Sequence, residues 1–225
     1  LTPIGGAPLP QDTPTPLNLI GQIAFTRDIG ANEEIFVVNA DRSNPRNLTN
    51  SPGNDDRPQW SPDGAQIAFT STRDGNAEIY VMNADGSNVR NLTNSAAIDV
   101  RSSWSPDGAQ IAFHSNRDGN FEIYTYDTET AELRNLSNHD GDDRFPVWSP
   151  DGEHIAFVAS RDNRYDIYDL YVIDVESERI RQVTETQLIR SPPVWSPDGR
   201  MLAYRSEFNG SIEVVTTGGL PQFRI

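Results

Sequence analysis

The chain has 225 residues, a net charge of −15 and an isoelectric point near 4.5. That acidity argues against binding nucleic acid or an anionic membrane face, because phosphates need a basic partner. There is no cysteine, which excludes a disulfide framework and any thiolate metal or redox centre.

The first 16 residues hold five prolines, which bar a helix or a central strand. We read residues 1–17 as an extended tether. No apolar run is long enough for a membrane-spanning helix. A chain that begins at Leu1 with such a leader is expected to be extracytoplasmic and bacterial in type: periplasmic, cell-surface or secreted. Any membrane tether is expected upstream of residue 1.

From residue 18 onward the chain repeats itself. The phrase Trp-Ser-Pro-Asp-Gly starts at Trp60, Trp104, Trp148 and Trp195, at intervals of 44, 44 and 47 residues. A period of roughly 40–45 residues signals propeller blades or a helical solenoid. In the copy from Asp55 to Asn94, the runs Ile67-Ala68-Phe69, Glu78-Ile79-Tyr80-Val81 and Arg90-Asn91-Leu92-Thr93 are separated by Asp74-Gly75 and Asp85-Gly86. Runs this short, β-branched or aromatic and bounded by turn residues, are strands. In Ser-Pro-Asp-Gly, proline presets φ, aspartate can bond its own backbone and glycine takes the left-handed conformation. Four strands joined by hairpins make an antiparallel meander, which is a propeller blade.

The expected fold is therefore all-β: a β-propeller of four-stranded antiparallel blades in a single domain over residues 18–225. Five blades are visible, over approximately 18–50, 55–94, 99–138, 143–184 and 190–225, and the alternative is part of a six- or seven-bladed propeller. The second strands run through Ile23–Phe25, Ile67–Phe69, Ile111–Phe113, Ile155–Phe157 and Leu202–Tyr204. The longer fourth interval is read as three extra residues in the third strand, around Asp169–Tyr171. The first unit lacks the Trp phrase, and Asn18-Leu19-Ile20-Gly21 stands there instead. Its innermost strand would come from the leader, from the tail Leu220–Ile225, or from residues outside this sequence.

Together with Arg-Asp-Gly-Asn and Asn-Ala-Asp-Gly-Ser-Asn, these phrases make residues 20–216 resemble the TolB-type β-propeller repeat family. The resemblance implies the propeller fold and a docking role at the mouth of the central channel, as in the periplasmic member of the Tol–Pal envelope system. Related propellers sit beside prolyl-oligopeptidase-like catalytic domains and in sugar lyases. The family's namesake has six blades and an N-terminal α/β domain, where this sequence shows five blades and no such segment.

Candidate site residues are sought just before each Trp. Five residues ahead stand Asp55, Asp99, Asp143 and then Arg190; three ahead stand Arg57, Arg101, Phe145 and Pro192, with Arg144 between. Strand alternation places the two sets on one face near the channel. One expectation is that Asp55, Asp99 and Asp143 form a carboxylate ring able to hold calcium. Another is a mixed mouth of Asp55, Arg57, Asp99, Arg101, Asp143, Arg144 and Arg190 that grips a partner loop, with arginine making bidentate contacts. The competing reading is that each aspartate bonds backbone in its inter-blade loop and a nearby arginine neutralises it.

The Arg-Asp pairs at 27–28, 73–74, 117–118 and 161–162 are read as turn architecture. The Asn-Leu-Thr or Asn-Leu-Ser tripeptides at 47, 91 and 135 match glycosylation acceptors formally, as a by-product of the repeat. His114, His139 and His154 occupy non-equivalent positions, and there is neither a Gly-x-Ser-x-Gly elbow nor a phosphate loop. The expected function is a non-enzymatic scaffold without an obligate cofactor that binds a protein or peptide partner. The alternatives are the propeller of a peptidase, hydrolase or sugar lyase, a calcium or small-ligand module, or a structural subunit.

Overall fold

The Ser-Pro-Asp-Gly turns close through their own side chains. Ser61 Oγ donates to Asp63 Oδ1 at 2.6 Å, the Ala65 amide to the same oxygen at 3.0 Å, and the Gln66 amide to Ser61 Oγ at 2.9 Å. Gly64 sits at φ +70, where an L side chain is strained. The same closure recurs at Ser105, Ser149 and Ser196. The turns also stack between blades: a Cβ built on Gly108 would lie 3.7 Å from Pro62 Cδ, and one on Gly152 3.5 Å from Pro106 Cδ. Trp104 Nε1 donates to the Gln59 carbonyl at 3.2 Å, and Trp195 Nε1 to the Val147 carbonyl at 3.0 Å. At Trp104 and Trp195 the phrase is thus both a hairpin and a clasp onto the preceding blade, whereas Nε1 of Trp60 and of Trp148 is buried without an acceptor among the described residues.

The computed structural model describes residues 21–161, 168–185, 188–207, 210–218 and 221–224. The proposed tether and Asn18–Ile20 lie outside the described residues. Five antiparallel sheets follow one another along the chain. The first has three strands, β1 (Gln22–Asp28), β2 (Glu33–Asn39) and β3 (Arg46–Asn47). The second holds β4 (Asp55–Trp60), β5 (Gln66–Ser71), β6 (Glu78–Asn83) and β7 (Arg90–Asn91). The third holds β8 (Asp99–Trp104), β9 (Gln110–Ser115), β10 (Glu122–Asp127) and β11 (Leu133–Asn135). The fourth holds β12 (Asp143–Trp148), β13 (His154–Ala159), β14 (Asp169–Asp174) and β15 (Ile180–Gln182). The last holds β16 (Val194–Trp195), β17 (Met201–Arg205), β18 (Ile212–Thr216) and β19 (Pro221–Arg224). Among the described residues there is no helix, and so none long and apolar enough to cross a membrane.

Packing follows from strand alternation. In β5 the side chains of Ile67 and Phe69 face the first blade, joining Ile35, Tyr80 and Met82. Ala68 faces the third blade, joining Ile79, Val81, Ile111, Phe113 and Tyr124. Two further apolar clusters fill the next two interfaces. Each interface sets large residues of one blade against alanine and β-branched residues of its neighbour, which is why alanine recurs in every second strand. The two end faces lack this cover: Ile23 is 54% exposed and Ile212 53%, where the matching Ile67 and Ile79 are at most 1% exposed.

Strand β19 pairs with β18, so of the sources left open for the first blade's inner strand, the tail is taken up by the last blade. One expectation is corrected. In the fourth blade Asp169 pairs with Ala159, as Glu78 pairs with Ser71. Nine residues separate the first pair and six the second, so the three extra residues lie in the hairpin before β14. The third strand keeps its length because its pairing with β13 fixes it.

Candidate functional site

The innermost strands β4, β8 and β12 share one irregularity. In β4, Asp56 pairs with Thr70 and Gln59 with Ala68, so Arg57 and Pro58 both stand opposite Phe69. β8 and β12 break in the same place. The first bulged residue takes positive φ in each: Arg57 at 54, Arg101 at 62 and Phe145 at 60. A bulge interrupts alternation and re-aims side chains. This overturns the expectation that Asp55 and Arg57 share a face. The bulged amides turn toward the preceding blade, Arg57 N donating to Thr26 Oγ1 at 3.1 Å and Phe145 N to His114 Nδ1 at 3.3 Å.

The three aspartates serve the scaffold. Asp55, Asp99 and Asp143 are fully buried, and each accepts from an arginine of its own blade's next hairpin. Arg73 reaches Asp55 at 2.9 Å, Arg117 reaches Asp99 at 2.9 Å and Arg161 reaches Asp143 at 2.8 Å. Ser51 Oγ of the inter-blade link also donates to Asp55 Oδ2 at 2.9 Å. The guanidinium is sandwiched further: Arg117 lies 4.8 Å from the Tyr124 ring centroid and 5.8 Å from that of Phe113. In each, Oδ2 holds the arginine, while Oδ1 is buried without a hydrogen-bond partner among the described residues. Among the described residues, only Asp151, Glu153 and His154 bring ligand atoms within 4.8 Å of one another; Asp55, Asp99 and Asp143 form no such group. Asp151 and Glu153 are exposed and His154 half-buried, and the buried Ser149 hydroxyl donates to Asp151.

The neutralising arginines are the residues expected to serve turn architecture. Their aspartate neighbours are engaged separately. Tyr80 and Tyr124 donate to Asp74 and Asp118, and Asn91 and Asn135 join each pair. The side-chain amides of Asn91 and Asn135, two of the three asparagines of the formal glycosylation tripeptides, are thereby committed within the blade. Asn91 Oδ1 also accepts from the Thr93 amide at 3.1 Å.

The fourth blade departs from this pattern. Arg73 Nε donates to Ser71 Oγ at 2.8 Å and Arg117 Nε to Ser115 Oγ at 2.9 Å. Ala159 holds the equivalent position, and Arg161 Nε is buried without an acceptor among the described residues. Ala159→Ser is expected to stabilise the chain by about 1 kcal/mol, read as a higher urea midpoint at unchanged slope. A lower midpoint would reject the reading.

Arg190 does not take the aspartate's place. Ile189 bridges Ser206, the position matching Ser71, and is fully buried, whereas Arg190 is exposed. Ser191-Pro192-Pro193 cannot hold a regular inner strand because proline lacks the ladder donor, so the register moves by one residue.

What remains near the axis is a cluster on blades two to four. Arg57 pairs with Asp56 at 2.6 Å and Arg144 with Asp142 at 2.8 Å. Arg101 lies 4.8 Å from the Phe145 ring centroid, and Arg144 lies 4.0 Å from that of Phe121. Behind them His114 is buried, edge-on to Phe121 and Phe145 at 5.3 and 5.7 Å between centroids. Burial, reinforced by the charges of Arg144, Arg101 and Arg57, pushes His114 down to about 3. Sequence reasoning missed His114, Phe121 and Asp142. Position was the available signal, since His114 stands where the two preceding blades carry Thr26 and Thr70.

A neutral buried histidine makes folding sensitive to acid. The unfolded chain takes the proton near pH 6.5, while the folded site holds it off until about 3, so stability from His114 is lost as pH falls through that window. Between pH 7 and pH 5 the loss is expected to be about 2 kcal/mol. Asp143, which burial pushes up to about 7, acts oppositely, its contribution falling as pH rises. Urea unfolding of the wild type beside His114→Thr isolates the histidine. A stability difference between them that is unchanged from pH 7 to pH 5 would exclude this account.

Five consecutive antiparallel sheets, four of them carrying the same repeated hairpin and three the same inner-strand bulge, define a β-propeller. The sequence profile of the TolB beta propeller domain matches residues 20–93, 72–169 and 127–218, so the chain belongs to the TolB-type β-propeller family. Among solved structures it is similar to TolB from Acinetobacter baumannii, with 27% identity and a TM-score of 0.73, over 89% of this chain and 51% of that one. The chain thus spans about half the length of that protein. It is also similar to a putative TolB from Agrobacterium tumefaciens, with 22% identity and a TM-score of 0.70, over 85% of this chain and 74% of that one. A puromycin hydrolase shares the fold at 17% identity and a TM-score of 0.69, over 84% of this chain and 32% of the enzyme. No curated protein sequence matches the chain.

Proposed function

We propose that this chain is a non-enzymatic, extracytoplasmic scaffold that docks a protein or peptide partner at the channel mouth. The carrying observation is the split between inner-strand charges. Asp55, Asp99 and Asp143 are each paired with an arginine of their own blade, whereas Arg101 and Arg144 stand part-exposed on Phe145 and Phe121, and Arg57 is exposed with its charge acting on Arg101. Arginine and aromatic side chains in a part-desolvated setting are what protein interfaces use as anchors. The extracytoplasmic placement draws on family membership and on the Pro-rich leader.

The test is capture from a bacterial envelope extract on the immobilised chain, compared with an Arg57→Ala/Arg101→Ala/Arg144→Ala variant. A partner retained by the wild type and lost by the variant is expected. Equal capture by both places docking elsewhere. Turnover of peptide or glycan substrates by the purified chain would overturn the non-enzymatic reading.

A further inference from the structure

Arg101 is the one member of the inner cluster with no carboxylate at salt-bridge distance among the described residues, Asp56 acting on it only from further off. It takes part in no salt bridge among the described residues, although the chain holds 33 acidic residues against 18 basic ones. Shortage of acids therefore does not explain it. Its guanidinium rests on the Phe145 ring at 4.8 Å, and burial together with the charge of Arg57 disfavours its protonated form, outweighing the opposing charge of Asp56. Beside it Arg144 spends one nitrogen on Asp142, while its Nε is buried without an acceptor among the described residues. Buried donors without acceptors are costly, and charged ones more so. An anion beside Arg101 would supply the partner it lacks and would be drawn by the charges of Arg57 and Arg144 as well, since all three arginines act on His114.

The surroundings narrow the anion. Two of the arginines stack on phenylalanine rings, so an apolar surface borders the donors. The backbone holds them there: Arg101 and Phe145 occupy equivalent bulges at φ 62 and 60. His114 beneath donates no positive charge at neutral pH, and its Nδ1 is already accepting from the Phe145 amide. A fork of planar donors beside an aromatic face matches a carboxylate carried on an apolar chain.

Resting on the docking role proposed above, we infer that Arg101, flanked by Arg57 and Arg144, is a socket for an aspartate or glutamate side chain of a peptide partner. Phe145 and Phe121 receive the apolar residue beside that carboxylate. The arginines orient the ligand, and no covalent step is involved.

The experiment follows arginine Nε–Hε signals by NMR in the intact chain. It is titrated with acetylated, amidated Gly-Asp-Leu-Asp-Gly, with its Gly-Asn-Leu-Asn-Gly counterpart, with the free-acid form of the latter, and with inorganic phosphate. The aspartate peptide is expected to shift the Arg101 and Arg144 signals, and to bind about tenfold more weakly to Arg101→Gln, as loss of one charge-assisted contact implies. If Arg101→Gln fails to fold, the titration of the unchanged chain decides. Equal binding of the two amidated peptides overturns the socket and leaves the docking role standing. Preference for the free acid assigns the site to a chain terminus, and equal binding of phosphate makes it a general anion site; either overturns the side-chain assignment. If no peptide binds and no envelope partner is captured, the docking role falls as well.

Discussion

Arg117→Ala is expected to destabilise the folded chain by about 3–5 kcal/mol, the usual cost of removing one partner from a buried ion pair. Asp99 is fully buried and its arginine side chain is only 19% exposed, with Nη2 2.9 Å from the carboxylate. Truncation strands a charge that water cannot reach. It also removes the donor to Ser115 Oγ and the cation that covers Tyr124 and Phe113. Arg117→Lys keeps the charge but not the fork, and should fall between the wild type and the alanine variant. Adding Asp99→Asn to Arg117→Ala should recover part of the loss, because the remaining group is then neutral. Urea unfolding followed by tryptophan fluorescence reads all of these. A loss below about 1 kcal/mol would place the pair among weak surface salt bridges and refute its structural role.

Glu122→Ala is expected to cost about 3 kcal/mol, from several hydrogen bonds to one buried carboxylate. Glu122 accepts from Asn120 Nδ2 at 3.0 Å, Ser137 Oγ at 2.6 Å and the His139 amide at 2.9 Å. Asn120 Nδ2 in turn reaches the carbonyls of His139 and Gly141 at 2.8 and 2.9 Å. One carboxylate therefore pins the link between the third and fourth blades. Glu34 and Glu78 do the same for the links before it. Losing the pin should loosen the blade interface as well as lower stability, read as faster amide exchange at Ser137 and His139. Glu122→Gln, which keeps the volume but places a donor where acceptors are needed, should also be destabilising. Unchanged exchange at both amides would show that the link is held by something else.

Parts of this arrangement are legible in residue order because their causes are local. Residues 61–66 contain every atom that closes their turn, so four copies of the phrase announce four hairpins. The alternation in Ile67-Ala68-Phe69 is likewise complete within the strand. The Asp99–Arg117 pair is different, since 18 positions separate its members. A sequence signal exists: Asp55 with Arg73 and Asp143 with Arg161 keep the same spacing, and the last blade has Arg190 and Phe208 at those places, so both members are absent together. Recurrence at a fixed offset is evidence of pairing that reading each residue as a local turn signal discards.

The bulges carried no such signal. Positive φ is ordinarily announced by glycine or asparagine, yet Arg57, Arg101 and Phe145 adopt it. For Arg57 and Phe145 the neighbouring blade offers Thr26 or His114 as an acceptor for the turned amide. Likewise, two prolines ahead of Trp195 mark an irregular inner strand, but only the bridge from Ile189 to Ser206 shows which residue is buried there. Residue order by itself determined the strands, their hairpins and the blade as the repeating unit, because each depends on contacts within a few positions. Only the tertiary structure decided which charges are paired within a blade and which are left part-exposed on the inner strands. That division is settled between strands and between blades, where burial and hydrogen-bond partners come from residues far apart in the chain.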